Sequence, residues 1–456
     1  MNDCQDIVIV GAGPAGIRAA ETLVKSGLSP IVIDEGHRCG GQIYRQSFIG
    51  DIRNKTDIYG DQTKKADRLH KIFEDIIPFI KYRPQTNVWH LFDKQLHLSY
   101  NGKQETLAFK KLILATGATD RVLPFKGWTL PGVYTLGAAQ TALKSQATLV
   151  GDEIVFMGSS PLLYLVAYQY LKAGAKVKAI LDTAPFSAKL NLMIAAMYDF
   201  PTIRRGLSYG VKLKAAGVKI VNGVEKLEVL GKGQLSAIIY TKGKKTKTIP
   251  CNALAYNFGL RSEVQLADLA GLDFAFHKEN RAWLPKSSID TRTSHDDIYI
   301  AGDGAEIEGA DGAELSGEIA ALSLIQDIQK NINKARLNEL LKQRLALRKA
   351  RKYFNKAFPF PVDWMSKQPD DLIVCRCEEI SIADICQKQD FYNQWEVNRS
   401  KAVSRVGMGR CQGRMCGVAL SELLCRNHNC PIEDIGRLRA QPPIKPLSIK
   451  VAGEQR

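Results

Sequence analysis

The sequence predicts an α/β fold in which two strand–turn–helix–strand units are followed by a small cysteine-bearing domain. Three observations carry this. Residues Gln5 to Glu35 read as a short apolar strand, a glycine-rich turn, a helix and a second strand. Residues Asp152 to Asp182 repeat that order. Beyond Phe358-Pro359-Phe360-Pro361 the composition shifts, and four cysteines stand at C-x-C and C-x4-C spacing. A length of 456 residues allows roughly three domains. An apolar fraction of 45% is ordinary for globular cores.

In the first unit, Asp6 to Val10 is the strand and Gly11-Ala12-Gly13-Pro14-Ala15-Gly16 follows at once. Ile17 to Ser26 is a helix with small residues on one face, Gly27 ends it, and Pro30 to Asp34 is the next strand. Gly11 allows the tight turn, Gly13 lets the backbone approach a pyrophosphate, and Gly16 lets helix and strand pack closely. Pro14 and Ala15 lie in this turn. The helix N-terminus offers free N–H groups and partial positive charge to phosphates. Glu35 stands 19 residues after Gly16 and can accept hydrogen bonds from ribose hydroxyls.

Two later segments extend the pattern. Lys111 to Ala118 is an apolar strand ending in Ala115-Thr116-Gly117, and Asp297 to Gly304 is a strand ending in Gly302-Asp303. Both resemble the later pieces of the two-dinucleotide-binding-domain flavoproteins, similar to glutathione reductase and thioredoxin reductase. That resemblance implies an FAD site that includes Thr116 and Gly117. It also implies that the Asp303 carboxylate lies against the ribityl–phosphate region, with Gly302 and Gly304 allowing close backbone approach.

The second unit has the strand Glu153 to Met157, the turn Gly158-Ser159-Ser160-Pro161-Leu162-Leu163, the helix Tyr164 to Ala173 and the strand Lys176 to Leu181, ending at Asp182. It resembles the inserted nicotinamide-binding domain of the same family. Ser160 and Leu163 replace the second and third glycines. The first change crowds a pyrophosphate and the second pushes helix from strand. The expectation is a retained structural domain without NAD(P). Disulfide-reductase chemistry needs paired cysteines facing the flavin. This half of the chain has only Cys4, Cys39 and Cys251, far apart, with Cys39 read as a small loop residue near the nucleotide.

Cys375-Arg376-Cys377 is followed, after 33 intervening residues, by Cys411-Gln412-Gly413-Arg414-Met415-Cys416. Four thiolates in this arrangement can surround one metal centre. Glycines 407, 409, 413 and 417 expose N–H groups to sulfur, and Arg376, Arg405, Arg410 and Arg414 can offset a negative cluster. A [2Fe–2S] centre and structural zinc both use four cysteines. The C-x-C pair and the flavin-type fold favour iron–sulfur. Cys386, Cys425 and Cys430 are read as spare, with Cys386 buried on a helix from Ile380 to Gln389.

The formal net charge is +16, and ten Lys/Arg with one acid fall between Lys330 and Lys356. The expected reading is a solvated helix face, the alternative a docking surface for an acidic subunit or an anionic membrane. No base-reading or stacking element points to nucleic acid. Met1 to Ile7 lacks the features of a signal peptide. The apolar stretch Ile154 to Leu171 reads as strand, turn and helix, not a membrane span. A cytoplasmic protein is expected, peripheral at most at the inner face of the membrane.

Further markers are Gly40-Gly41-Gln42-Ile43-Tyr44-Arg45, Pro124 to Val133, Pro161 to Ala167, Cys375-Arg376-Cys377-Glu378-Glu379 and Gly407 to Cys416. With the motifs above, they give a near full-length resemblance to the alpha (A) subunits of heteromeric flavin-dependent amino-acid and opine dehydrogenases. That family includes opine oxidases, D-hydroxyproline and L-proline dehydrogenases and hydrogen cyanide synthase. The resemblance implies a [2Fe–2S] domain like bacterioferritin-associated ferredoxin on Cys375, Cys377, Cys411 and Cys416. It implies a partner beta subunit, similar to D-amino-acid oxidase, that binds FAD and oxidises the C–N bond of an amino acid, a proline-type imino acid or an opine. Electrons would leave to a quinone or another carrier. Some members hold an adenine nucleotide without a flavin ring in the first fold, with FMN at a subunit interface. Gln42 and Asp303 would reach the ribityl or ring region.

The expected division is a split nucleotide domain (1–145 and 265–330), an inserted domain (146–264), a basic helical connector (331–364) and the cysteine domain (365–456). No acid–base catalyst is visible. Two other readings compete: a stand-alone NAD(P)H-dependent FAD oxidoreductase feeding the cluster, and a non-catalytic nucleotide- and cluster-binding scaffold.

Overall fold

Three parallel strands end level with one another, and that register gathers the first nucleotide motif. The computed structural model describes residues 5–47, 53–329, 332–393 and 395–447; Cys4 lies outside them. Strands β1 (Gln5–Val10), β2 (Ile31–Ile33), β3 (Lys81–Arg83), β4 (Asn87–Phe92), β5 (Gln95–Tyr100) and β6 (Lys103–Leu114) run in the order β3-β2-β1-β6-β5-β4. The first half of β6 pairs antiparallel with β5; the second half runs parallel to β1, with Val10 opposite Leu114. The glycine turn opens helix α1 (Pro14–Lys25), which starts at Pro14 rather than Ile17. Proline at the first position needs no N–H partner and has its φ already set.

The second unit builds a five-stranded parallel sheet. Its strands are β7 (Val133–Thr135), β8 (Glu153–Gly158), β9 (Lys176–Asp182), β10 (Lys219–Asn222) and β11 (Ala253–Asn257), in the order β10-β9-β8-β11-β7. Helix α2 (Leu162–Lys172) follows the β8 turn. β11 is buried along its whole length, as expected of a strand covered on both faces. The chain then returns to the first sheet. β12 (Ile298–Ile300) joins β6 in parallel, with Ile300 opposite Leu114. Val10, Leu114 and Ile300 therefore end together, and the turns beginning at Gly11, Ala115 and Ala301 share one crevice. Ligands of open α/β sheets bind at such strand ends.

Helices α3 (Gly309–Gln329) and α4 (Lys334–Ala357) lead to the C-terminal part. The basic run on α4 is not simply a solvated face. Lys334, Lys342, Lys349, Lys352 and Lys356 are exposed, but the arginines turn inward. Arg344 is fully buried, donating from Nε to both Glu308 oxygens at 3.0 Å and from Nη1 to Ile289 O at 2.6 Å. Arg348 also reaches Glu308, at 2.6 Å, and Arg336 pairs with Glu318 at 2.8 Å. Lysine stems tolerate solvent, whereas the guanidinium fork satisfies buried carboxylates bidentately.

The C-terminal part holds β13 (Ile373–Cys375), β14 (Ile380–Ser381) and helices α5 (Ile382–Tyr392), α6 (Val397–Ser404) and α7 (Gly417–Asn427). Its apolar side chains, among them Trp364, Val374 and Leu420, share one core with Val155, Leu227 and Phe258 of the second unit. Two indoles pin the parts together: Trp128 Nε1 donates to Ile373 O at 2.7 Å and Trp364 Nε1 to Pro124 O at 2.9 Å. The Pro124–Val133 motif thus has a structural reason. Cys386 is only half-buried and accepts a hydrogen bond from Asn427 Nδ2. Among the described residues no helix is long and apolar enough to cross a membrane.

Removing one member of the Arg344–Glu308 pair leaves a buried charge without its main partner. Arg344→Ala is expected to lower unfolding free energy by about 3–5 kcal/mol, measured as a shift in denaturant midpoint; an unchanged midpoint would refute the packing described.

Candidate nucleotide and cysteine site

The three glycines of the first turn have different jobs. Gly11 sits at φ +111°, and a Cβ there would lie 2.3 Å from Ala115 O. A Cβ on Gly16 would lie 1.8 Å from Gly11 O. These two are demanded by the protein's own backbone. Gly13 meets only Gly41 Cα, at 3.6 Å, and otherwise faces the crevice. Asp34, which in the sequence is no more than the end of a strand, braces the turn. Its carboxylate accepts from Ala12 N at 2.5 Å and Gly36 N at 2.6 Å, and burial pushes its carboxyl up. Glu35 is exposed at the rim and pairs with Lys445 Nζ at 2.6 Å. Gln42 is exposed on the wall of the same cavity.

The later motifs close in from the neighbouring strand ends. Thr116 Oγ1 donates to Glu263 O at 2.6 Å. Asp303 Oδ1 accepts from Glu308 N and Gly309 N, each at 2.8 Å. Burial pushes the Asp303 carboxyl up, with the nearby Arg351 opposing. A cavity of about 1270 Å³ is lined by Gly11, Gly13, Pro14, Ala15, Glu35, Gln42, Thr116, Gly117, Gly302 and Asp303. Of the candidate nucleotide residues only Gly16 is absent from the wall, being packed beneath the turn. The same cavity reaches Arg376, Arg410, Cys411 and Arg414 of the C-terminal part.

The second unit spends its corresponding groups internally. Ser159 Oγ donates to Pro359 O at 2.8 Å, and Ser160 Oγ accepts from Leu162 N at 3.2 Å. Asp182, at the end of β9, is fully buried. It accepts from Tyr164 Oη at 2.8 Å and Ala184 N at 2.9 Å and pairs with Lys189 Nζ at 2.7 Å. Lys189 Nζ also lies 3.3 Å from the centre of the Phe358 ring. The connector residues Phe358 and Pro359 therefore lie against this turn.

The four C-terminal thiols lie near one another across the two motifs. Cys416 hydrogen-bonds Cys375, and Cys377 interacts with Cys411. The Cys416 bond, opposed by burial and helped by N–H groups of Gly407, Glu378 and Cys377, draws the Cys375 thiol down to about 5. The same bond pushes Cys416 up. A Cβ on Gly409 would lie 2.3 Å from Cys377 Cβ, so the second loop passes directly over the first motif. Cys375 and Cys416 are buried, Cys377 and Cys411 half-buried. Among the described residues no three metal-ligating side chains are gathered tightly enough to hold one ion. Cys416 is influenced by Cys375, Cys411 and Cys377 alike, so the four thiols share one neighbourhood. Elsewhere Cys425 Sγ contacts Cys430 O at 2.9 Å, and Cys39 is buried and pushed up to about 12 by that burial.

Glu263 joins the two halves of the site, and no motif marks it. Its main chain bonds the Ala-Thr-Gly turn, donating to Gly117 O at 3.0 Å and accepting from Thr116. Its carboxylate accepts from Arg414 Nε at 2.8 Å, inside the cysteine loop. Burial pushes Glu263 up, but Arg261 and Arg414 more than offset it and hold it below the usual range. Gln265 Nε2 adds a bond to Gln412 O at 2.9 Å.

Residues 5–321 match the family described as pyridine nucleotide-disulphide oxidoreductase. The chain belongs to that family. It is 31% identical over 465 residues to the A-type subunit of opine oxidase from Agrobacterium tumefaciens (strain Ach5), covering 98% of this chain and 91% of that protein. The hydrogen cyanide synthase component HcnB of Pseudomonas aeruginosa is 30% identical over 458 residues, covering 96% of each. The L-proline dehydrogenase of P. horikoshii shares the fold at a TM-score of 0.70 and 18% identity, over 98% of this chain and 79% of that one. The expected two-dinucleotide-domain architecture and oxidoreductase class therefore hold, as does the kinship with the A-type components of opine oxidases.

The glycine geometry separates fold from ligand. Gly16→Ala is expected to lower stability by about 1–3 kcal/mol through overpacking. Gly13→Ala should leave the melting temperature unchanged yet carry less bound adenine nucleotide, read by chromatography of the released ligand. Equal nucleotide content in Gly13→Ala and the parent would contradict this assignment.

Proposed function

We propose that the chain is the electron-accepting flavoprotein and iron–sulfur subunit of a heteromeric dehydrogenase that oxidises the C–N bond of an amino acid, a proline-type imino acid or an opine. The observation that carries this is the shared cavity: the first nucleotide turn and Cys411 line one wall system. The names of the relatives, one component of an opine oxidase and one of hydrogen cyanide synthase, point to the same class of donor.

When bound, FAD takes up the electron pair released from the donor and a [2Fe–2S] cluster carries electrons singly. Gly11, Gly13 and the α1 N-terminus would hold the pyrophosphate, Glu35 the ribose, and Gln42 and Asp303 the ribityl or ring region. Pro14, Ala15, Thr116, Gly117 and Gly302 shape the walls of that site, and Gly16 seats the helix beneath it. An adenine nucleotide without a flavin ring fits the same cradle up to the diphosphate, with FMN then belonging to a subunit interface.

Cys375, Cys377, Cys411 and Cys416 would together hold the two irons. The C-x-C spacing of the first pair and the flavin-type fold favour a two-iron centre over structural zinc. N–H groups of Gly407, Glu378 and Cys377 aimed at Cys375 would stabilise its thiolate form. Arg376, Arg410 and Arg414 place positive charge on the cavity wall that Cys411 shares. The C–N chemistry falls to a partner resembling an FAD-dependent amino-acid oxidase, with a quinone or a carrier as acceptor. The cytoplasm, including the inner membrane face, is the place we assign.

The second unit favours this reading over the stand-alone NAD(P)H reductase. Asp182 is consumed by Tyr164 and Lys189, and Phe358 and Pro359 lie against the turn where a pyrophosphate would sit. Under anaerobic conditions, proline-, hydroxyproline- or opine-type donors are expected to bleach the visible flavin band of the chain with its partner, whereas NADH leaves it unchanged. Bleaching by NADH alone would hand the chain to the reductase reading. Separately, Cys375→Ser and Cys411→Ser should lose most bound iron and sulfide while retaining nucleotide; undiminished iron in both would remove these ligands from the account.

A further inference from the structure

The largest feature left unused by that function is an apolar ridge between residues 186 and 211. Phe186, Leu190, Met193, Met197, Phe200 and Val211 are all exposed, Met197 at 79% and Phe186 at 74%. Phe186 and Leu190 lie on a 3-10 stretch, Met193 on the short helix Asn191–Ala195, Met197 in the turn after it, and Phe200 and Val211 on the helix Phe200–Ala215. Their neighbours on the opposite face are packed. Leu192, Ala195, Ala196 and Ile203 lie against Tyr353, Phe354 and Phe358 at the end of α4. The segment is therefore a folded element with one face seated and one face bare. Single exposed apolar residues need no explanation, but a cluster of large ones in one short stretch marks a contact surface.

The charge around the ridge narrows the kind of contact. Between Phe186 and Lys214 there are five Lys/Arg and one acid, Asp199. Asp199 is used as the helix cap, accepting from Thr202 N at 3.2 Å. Arg204, Lys212 and Lys214 are exposed, as are Lys349, Lys352 and Lys356 on the adjoining α4. Tyr198 stacks on Tyr353 of α4 at 6.2 Å between ring centres, so the two basic fringes border one surface. The complementary surface is apolar at its centre and acidic at its rim.

Position narrows it again. Phe354 packs under the ridge through one side and lines the large cavity through another, and Arg351, Asn355 and Phe358 line that cavity too. A protein seated on the ridge is separated from the cavity by the α4 end, one helix diameter or about 10 Å. An electron donor gains from such a seat; a lipid surface does not.

We infer that the ridge from Phe186 to Val211 is the docking face for the amine-oxidising flavin subunit, whose matching surface is apolar with an acidic rim. This rests on the function proposed above and adds to it the place of the partner. The test uses the affinity-tagged full chain expressed in its own cells, purified with whatever flavin chain accompanies it, and cross-linked before digestion. The parent is compared with a Met193→Glu/Met197→Glu variant, two exposed positions that leave the core untouched.

The expected result is one co-purifying flavin chain that reduces a dye with an amine donor, cross-linked to residues 186–211, and reduced roughly tenfold or more in the variant, as when interface anchors are lost. The variant should keep its melting temperature and bound nucleotide. A variant that retains the flavin chain and dye reduction, or cross-links that fall elsewhere, would overturn the docking face and leave the function standing. A parent that holds no amine-oxidising chain would overturn both. A ridge that pairs two copies of this chain by light scattering, or binds vesicles containing anionic phosphatidylglycerol in the parent but not in the variant, would overturn the docking face in favour of those occupants.

Discussion

One buried carboxylate sets the geometry on which the rest of the site depends. Glu263 is tied through its main chain to the Thr116–Gly117 turn and through its side chain to Arg414. The first tie belongs to the nucleotide crevice, the second to the loop that carries Cys411 and Cys416. A charge-assisted bond inside a low-dielectric wall is directional and strong, and leaving either partner alone there is costly. Arg414 also donates to Ile444 O at 2.7 Å, which fixes the C-terminal segment beside Lys445 and hence beside Glu35. The Thr116–Gly117 turn, the cysteine loop and the C-terminal segment are thus linked through one ion pair.

Strand register supplies the other constraint. Because Val10, Leu114 and Ile300 are level, three loops from distant parts of the chain arrive at the same height. The glycines then decide which approaches are possible. At Gly11 and Gly16 a methyl group would strike backbone oxygen, so those positions serve folding. At Gly13 the space is open toward the cavity, so backbone packing does not demand a glycine there. In the second unit Asp182 is taken up by Tyr164, Ala184 and Lys189 and Ser159 by Pro359 O, while Ser159, Ser160 and Pro161 still border the cavity.

The motifs legible in the sequence are those whose geometry is local. The strand–Gly11–α1–β2 unit, the Ala-Thr-Gly and Gly-Asp strand ends and the four cysteines could be named because turn, helix cap and ligand type are encoded within a few residues. What could not be read depends on partners far along the chain. Asp34 looks like the end of a strand until Ala12 and Gly36 are seen to donate to it. Glu263 lies 151 residues from Arg414, and no local pattern announces the pair. That the loop through Gly409 passes directly over Cys377 is likewise not announced by the cysteine spacing. On α4 the sequence showed a basic run but not that its arginines would turn toward Glu308 and Glu318 while its lysines stayed in water.

The central claim is that one chain gathers a flavin nucleotide and a two-iron centre around a common cavity. The most direct measurement is the flavin, iron, acid-labile sulfide and zinc content of a single anaerobically purified sample, read with its visible spectrum. The account requires FAD together with iron and sulfide in equal amounts. A protein that carries zinc in place of iron, or iron without sulfide, would contradict it.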